Sequence, residues 1–248
     1  GFGIDKDLDK AIYYYKLSAD QGNVTGEYNY GREMYLKSYK IEDRNIAITY
    51  LKKAAEKQYP DAMYFYSKVI RTTNPEESES YLKLSIDKSS EFAIKDYGKE
   101  LINEGKLNEA AELYKSAAQK GMKIGFRKYA KFIDKGCALE EDLNEDLLVD
   151  YLKKAALLGD PKDQFNYAEF LLLQDESVDE RASYFMKAAK HGYVKAFFRY
   201  AECLEDGEGV EKNLEKAKKY YTLSYQYDNK SPAKIIIDRL KKDNLIDC

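Results

Sequence analysis

The chain has 248 residues, of which 44% are hydrophobic and 34% are charged, and its formal net charge at pH 7 is −3. This near-neutral balance argues against binding to nucleic acids or to anionic membranes through bulk charge, so we predict no nucleic-acid partner. No apolar run approaches the ~18 residues that suggest a transmembrane helix, so we also predict no direct membrane insertion.

The three cysteines, Cys137, Cys203 and Cys248, lie far apart and do not have the spacing of metal ligands. Free thiols are typical of a reducing compartment, and we therefore predict a cytoplasmic location. An upstream signal segment would instead place the protein in a secretory lumen or in the periplasm. We predict no metal site and no cofactor.

The predicted elements, taken in chain order, are copies of one two-helix unit. A pair of residues, usually both small, ends each second helix and recurs every 31 to 38 residues. These pairs are Ser18-Ala19, Ala54-Ala55, Ser85-Ile86, Ala117-Ala118, Ala155-Ala156, Ala188-Ala189 and Ser224-Tyr225. A period of this length is the signature of a helical-repeat protein.

A second register of positions supports the same repeat. Three residues after each pair comes a turn position, occupied by Gly22, Gln58, Ser89, Gly121, Gly159, Gly192 and Asp228. Eight residues further on, a Tyr followed by a small residue recurs as Tyr30-Gly31, Tyr66-Ser67, Tyr97-Gly98, Tyr129-Ala130, Tyr167-Ala168 and Tyr200-Ala201. We expect these six pairs in the middle of the first helices, with the small residue at a helix–helix contact.

The clearest copy of the unit runs from His191 to Tyr221. Its first helix should start near Tyr193, because apolar residues recur at helical spacing from there. Gly207 should end this helix in the left-handed conformation, and Asn213 should cap the next one.

The two ends of the chain differ from the middle. The opening residues Gly1 to Ile4 match Gly207 to Val210, so we expect the chain to start in mid-repeat at residue 1 and the helix around Ala11 to Ala19 to expose apolar residues. Residues from about 231 to 243 lack a Tyr-small pair and are predicted to form a divergent capping helix. We predict one domain over residues 1–248, with about six helix hairpins.

The pattern resembles Sel1-like repeats, which are relatives of the tetratricopeptide repeat, and the resemblance covers residues 1–230. It implies an all-α, right-handed α-α superhelix of helix-turn-helix repeats. Two departures are visible: the interval around Pro75 lacks the Gly-x-Gly loop, and Asp163 stands where the family usually has a small residue. We expect less regular packing in those two repeats.

No set of residues indicates catalysis. The one histidine, His191, lies at a predicted helix end, and no Cys or Ser stands in a recognisable nucleophile motif. Gly207-Glu-Gly209 lacks the preceding strand and the Gly-Lys-Ser ending of a phosphate loop, which favours a simple helix-to-helix turn. The acidic run Glu140-Glu141-Asp142, with Glu145-Asp146, is predicted to be a solvated loop before a helix, whose N-terminus favours acidic residues. We predict that the protein is not an enzyme.

One set of side chains suggests binding. Each first helix contributes two residues to this set. One lies two positions after the Tyr of the Tyr-small pair, and the other lies two positions before that Tyr. The two are four residues apart and therefore share a helix face. These residues are Tyr28, Arg32, Tyr64, Lys68, Lys95, Lys99, Arg127, Lys131, Phe165, Glu169, Phe198 and Glu202. The resemblance implies that they line a concave groove, basic over four repeats and then acidic. An ordinary solvated face accounts for the same residues, and that alternative stays open.

The predicted function is that of a scaffold or adaptor that binds a partner protein or peptide. Where the groove is basic, the bound partner is expected to be acidic. In the alternative, the chain is a regulatory or localising arm of a larger enzyme or membrane complex whose other domains lie outside this fragment. A hydrolase activity like that of cysteine-rich bacterial relatives is disfavoured, because this chain lacks their regularly paired cysteines. The oligomeric state is left open.

Overall fold

A computed structural model of the chain describes residues 7–175 and 177–242. Within these ranges the secondary structure consists of fourteen α-helices and one turn of 3-10 helix at Glu140–Asp142, with no strand. The predicted all-α class is confirmed.

The contacts divide the chain into two compact units, one that ends at Leu113 and one that starts at Tyr114. The first unit holds α1 (Leu8–Asp20), α2 (Val24–Lys37), α3 (Ile41–Glu56), α4 (Pro60–Ile70), α5 (Pro75–Asp87), α6 (Glu91–Asn103) and the start of α7 (Leu107–Gln119). The second holds the rest of α7, then α8 (Lys123–Asp134), α9 (Glu145–Leu157), α10 (Pro161–Leu173), α11 (Val178–Lys190), α12 (Val194–Asp206), α13 (Leu214–Tyr227) and α14 (Ala233–Lys242). The even-numbered helices α2 to α12 are the first helices of the repeats, and the odd-numbered helices are the second. That residues 1–248 form a single domain stays a prediction.

Local sequence sets the ends of the helices. In the clearest repeat, α12 begins at Val194 with Tyr193 as its N-cap, and Gly207 ends it with a left-handed φ of 80°. The side chain of Asn213 then accepts a hydrogen bond from the backbone N–H of Lys216 and caps α13. All three boundaries predicted for this repeat are confirmed.

The turn positions share one backbone conformation. Six of the seven have a positive φ between 60° and 83°, namely Gly22, Gln58, Ser89, Gly121, Gly159 and Gly192. The seventh, Asp228, has an extended φ of −140°. Gln58 and Ser89 therefore adopt a left-handed conformation that disfavours residues with a Cβ atom.

The Tyr-small pairs lie within the first helices, and their small residues are buried, as predicted. A Cβ atom on Gly31 of α2 would lie 2.9 Å from the carbonyl oxygen of Ala47 on α3, so the absence of a side chain lets these two helices approach. Five of the six tyrosines are buried, but Tyr97 is half-buried. It lines a cleft of about 350 Å³ among α4, α5 and α6, in the interval around Pro75 where less regular packing was predicted.

The terminal predictions have different outcomes. The capping helix is present as α14, whose Ala233 and Leu240 are buried; position 243 of the predicted range lies outside the described residues. The opening residues Gly1 to Ile4, which were predicted to match a repeat loop, also lie outside the described residues. On α1, the side chains of Tyr13, Tyr14 and Leu17 are exposed, which agrees with the expected apolar face.

Candidate interaction surface

The predicted groove residues occupy matching positions on consecutive first helices of each unit. In the first unit they are Tyr28 and Arg32 on α2, Tyr64 and Lys68 on α4, and Lys95 and Lys99 on α6. In the second they are Arg127 and Lys131 on α8, Phe165 and Glu169 on α10, and Phe198 and Glu202 on α12. We call these two sets the first-helix faces.

Burial separates the aromatic members of these faces from the charged ones. Tyr28, Tyr64 and Phe165 are 8% exposed or less and belong to the core. By contrast, Lys68, Lys95, Lys99 and Lys131 are exposed, while Phe198, Arg32, Arg127, Glu169 and Glu202 are half-buried. The accessible parts of these sets are therefore mainly charged.

An aromatic cluster underlies the face of the first unit. The ring of Phe65 lies 5.7 Å from that of Tyr28 and 5.8 Å from that of Phe92. The guanidinium of Arg32 lies 5.7 Å from the centre of the Tyr28 ring, within cation–π range. Phe92 is 44% exposed and was not among the residues predicted from the sequence. Its position three residues before Lys95, on the same helix face, is the signal that identifies it.

Lys68 has a partner within the chain. The carboxylate of Asp96 on α6 accepts hydrogen bonds from the Tyr64 hydroxyl and, at 3.2 Å, from Lys68 Nζ. Burial and the bond to Asp96 together raise the pKa of Tyr64 to about 12. Burial alone would raise the pKa of Asp96, but the bonds from Tyr64 and Lys68 outweigh it and lower that pKa. This contact joins α4 to α6.

Arg127 is paired still more closely. Its Nε donates to Oδ1 of Asp163 at 2.6 Å, and its Nη2 lies 2.8 Å from Oδ2 of Asp160. Asp163 is 3% exposed, so Arg127 neutralises a buried carboxylate. The unusual residue of the α10 repeat thus has a specific partner on α8.

The acidic end of the second face is also partly neutralised. Arg199 on α12 donates to Glu169 on α10 at 2.7 Å and to Glu202 at 3.0 Å. Burial raises the pKa of Glu202, while Arg199 lowers it in part. Both predicted groove acids therefore share one guanidinium.

Three predicted cations have no ion pair among the described residues: Lys95, Lys99 and Lys131. Each is exposed and lies on a first helix. Arg32, by contrast, is bonded to its neighbour Glu33. The uncompensated positive charge of these faces therefore resides on α6 in the first unit and on the last turn of α8 in the second.

A cleft of about 520 Å³ opens among α8, α9 and α10; we call it the α8–α10 cleft. Four predicted residues line it: Arg127, Lys131, Phe165 and Glu169. Further lining residues were not predicted from the sequence, chiefly Leu148 and Leu152 of the second helix α9 and Lys162, Phe170 and Leu173 of α10. Leu148 and Leu152 were missed because the predicted face took residues from first helices alone. The α10 residues were missed because that face used only two positions of each first helix.

The second helices carry a separate series of ion pairs. Lys52 lies 3.5 Å from Glu77, Lys115 lies 2.7 Å from Asp142, and Lys153 lies 2.9 Å from Glu180. Two of these acids also accept a hydrogen bond from a repeat tyrosine, Glu77 from Tyr66 at 3.1 Å and Asp142 from Tyr129 at 2.5 Å. Asp142 lies in the short 3-10 turn and is half-buried, so the solvated-loop prediction is wrong for this residue. These lysines contribute to packing between repeats.

The Gly-x-Gly loop has a structural role in this chain. Glu208 pairs with Arg181 of α11, which is 4% exposed. A Cβ atom on Gly209 would lie 2.4 Å from the carbonyl oxygen of Val178, so the loop packs directly on the start of α11. This supports the interpretation of the loop as a helix-to-helix turn.

Cys203 lies in the core, whereas His191 lies at the surface. Burial raises the pKa of the Cys203 thiol to about 11, which keeps it protonated at neutral pH. His191 is exposed at the C-cap of α11. No group of three or more His, Cys, Asp or Glu side chains suited to a metal ion occurs among the described residues. No helix in the described part of the chain combines the length and apolar character needed to span a membrane.

Comparison with solved structures shows the fold. A protective antigen present in uropathogenic Escherichia coli strains and displaying an SLR fold has a TM-score of 0.68 at 23% identity, over 95% of this chain and 52% of that one. A Sel1 repeat protein from Oxalobacter formigenes has a TM-score of 0.56 at 20% identity, over 90% of this chain and 66% of that one. This chain thus spans between half and two-thirds of the length of these two proteins.

Comparison with family profiles identifies the repeats. The Sel1 repeat profile matches residues 1–23, 24–59, 98–122, 149–160 and 194–226, which together make up more than half of the chain. The unmatched stretch between residues 59 and 98 contains the irregular interval around Pro75. A search of curated proteins gave no significant match. The extent of the profile matches shows that the chain belongs to the Sel1 repeat family.

Proposed function

We propose that this chain is a non-catalytic interaction scaffold and that the first-helix face of each unit contributes contacts to a partner protein. The observation that carries the proposal is the state of Lys95, Lys99 and Lys131, which are exposed and have no ion pair among the described residues. The other three cations of these faces, Arg32, Lys68 and Arg127, are bonded to acids within the chain. Lys95 lies near the exposed ring of Phe92, and Lys131 lines the α8–α10 cleft, so these two positions offer a partner apolar contact as well as charge.

The same lysines give the partner its chemistry. Lys95 and Lys99 are four residues apart on α6 and present two ammonium groups on one helix face. An acidic segment is the complementary ligand, and ion pairs formed at these exposed positions are screened by salt. We therefore propose that the bound segment carries carboxylates and that its affinity falls as the ionic strength rises.

A charge reversal of these lysines tests the proposal. Changing Lys95, Lys99 and Lys131 together to Glu should abolish co-purification of the partner from an extract of the source organism, with the partner identified by mass spectrometry. The melting temperature should change little, because the three side chains are exposed.

The matched control is the triple change to Glu of Lys190, Lys216 and Lys219, which are exposed on the second helices α11 and α13 and have no ion pair among the described residues. Lys190 lies in the last turn of its helix, as Lys131 does, so the two variants lose a similar interaction with the helix dipole. Retention of the partner by the first-helix variant and its loss from the control would place binding on the second helices and refute the proposal.

Lys68, Lys52, Lys115 and Lys153 are unsuitable for this experiment. Each of them is ion-paired with an acid of a neighbouring element. Their reversal would disturb the packing between repeats as well as any binding.

A further inference from the structure

We propose that the α8–α10 cleft binds a short segment of a partner in which a bulky apolar side chain is flanked by carboxylates. This inference rests on the proposed function and names the place and the ligand class in the second unit. Its basis is an apolar floor, an exposed leucine at the rim and two unpaired lysines at the edges.

The floor of the cleft is apolar and comes from two repeats. Leu148 of α9 and Phe165 of α10 are each 8% exposed, and Leu152 and Phe170 are half-buried beside them. The volume of about 520 Å³ falls within the range of pockets that hold small ligands, so a leucine or phenylalanine side chain fits in it. An apolar side chain of a partner is the natural complement of this floor.

The rim carries an apolar side chain that solvent surrounds. Leu173, in the last turn of α10, lines the cleft and is 83% exposed. A partner segment lying across the cleft would cover this side chain and remove its apolar surface from water. Leu173 thus extends the apolar floor to the mouth of the cleft.

Charge in the cleft selects for acids. Two of its carboxylates are already ion-paired, that of Asp163 with Arg127 and that of Glu169 with Arg199. Lys131 and Lys162 have no ion pair among the described residues. Of the carboxylates that line the cleft, Asp134 alone has no ion pair within the described residues. The unpaired charges are therefore two cations and one anion, and carboxylates on either side of an apolar anchor match the two lysines.

The ligand class can be found without knowing the partner. A library of random 12-residue peptides displayed on phage is selected against the full chain, and the enriched peptides are synthesised with a fluorescent label for anisotropy titrations. We expect enriched sequences with Asp or Glu on both sides of Leu, Ile or Phe. Changing Lys131 and Lys162 together to Glu should weaken their binding about tenfold or more, because two attractions become repulsions.

Matched variants separate the cleft from general surface effects. Changing Lys216 and Lys219 on α13 together to Glu applies the same charge change outside the cleft and should alter the affinity by less than about twofold. Leu173→Ser should weaken binding severalfold, whereas Leu157→Ser removes a 66% exposed leucine of α9 that does not line the cleft and should have little effect. Circular dichroism of each variant verifies that the fold is retained.

Several results would overturn the inference: a library that yields no binder, enriched peptides without acidic residues, or binders that are insensitive to the cleft variants. Self-association of the chain abolished by Leu173→Ser would assign the cleft to a second copy and would also overturn it. If one of these results occurs while the Lys95, Lys99 and Lys131 variant still loses the partner from the extract, the scaffold proposal stands and the cleft assignment alone fails.

Discussion

Arg127 on α8 and Asp163 on α10 form a two-point contact, with hydrogen bonds of 2.6 Å and 2.5 Å between the guanidinium and the carboxylate. The two residues are 36 positions apart, close to one repeat length. In a stacked repeat, such positions lie at the same level of neighbouring units. An arginine and an aspartate separated by about one repeat length are thus the feature of the sequence that indicates this pairing.

The effects of Arg127 and Asp163 on the free energy of unfolding should depend strongly on each other. Asp163→Ala and Arg127→Met should each destabilise the chain, the second more strongly because it leaves a buried carboxylate without its guanidinium. We expect a loss of about 2–4 kcal/mol for Arg127→Met, somewhat below the value for a fully buried pair because Arg127 is half-buried. Urea unfolding of both single variants and of the double variant measures the coupling.

The double variant should be more stable than Arg127→Met alone, since an alanine at position 163 restores the small residue that the family usually has there. If the effects of the two single changes simply added, the contact would contribute little.

The strained turns offer a stabilising change. Gln58 and Ser89 have φ values of 60° and 64°, where a side chain costs about 1–2 kcal/mol and glycine has no such penalty. Glycine loses about 0.5–1 kcal/mol more in backbone entropy on folding, so each change to Gly should stabilise the chain by roughly 0.5–1 kcal/mol. Thermal unfolding monitored by circular dichroism measures the gain.

The control for the turn variants is Lys88→Gly, next to Ser89. Lys88 has a φ of −81°, so glycine relieves no strain there and should destabilise the chain. Equal destabilisation by Ser89→Gly and Lys88→Gly would show that the left-handed turn carries no strain.

Close approach of helices makes one glycine hard to replace. A Cβ atom on Gly125 of α8 would lie 2.1 Å from the backbone nitrogen of Ala118 on α7. Gly125→Ala should therefore push the two helices apart and cost roughly 1–3 kcal/mol, despite the higher helix propensity of alanine. An unchanged urea midpoint for this variant would contradict the packing described for α7 and α8.

Alkaline pH should weaken the contact between α4 and α6. The pKa of Tyr64 is raised from its ordinary 10.0 to about 12 by burial and by Asp96, so its neutral form is favoured in the folded chain. The stability that this group contributes is fully present below pH 10 and is lost as the pH rises towards 12. Melting temperatures measured across this range should fall less steeply in Tyr64→Phe than in the original chain. Parallel profiles would contradict the linkage.

The sequence was sufficient to predict the repeat, the turn positions and the Tyr-small contacts, because each recurs at a fixed offset. The pairing of Lys68 with Asp96 was not predicted, since both residues are ordinary members of a charged helix surface until neighbouring helices are placed. The floor of the α8–α10 cleft was missed for a related reason: Leu148 belongs to a second helix, whose apolar residues the sequence assigns simply to the core. The regular spacing of residues therefore identifies the fold, whereas the structure is needed to tell which lysines are ion-paired.

The central claim, that a partner lies on the first-helix faces, is tested most directly by lysine footprinting. The chain is acetylated with and without the bound partner, and the modification of each lysine is measured by mass spectrometry. We expect the partner to protect Lys95, Lys99 and Lys131 and to leave Lys190, Lys216 and Lys219 as reactive as in the free chain. Protection of the second set with unchanged reactivity of the first would contradict it.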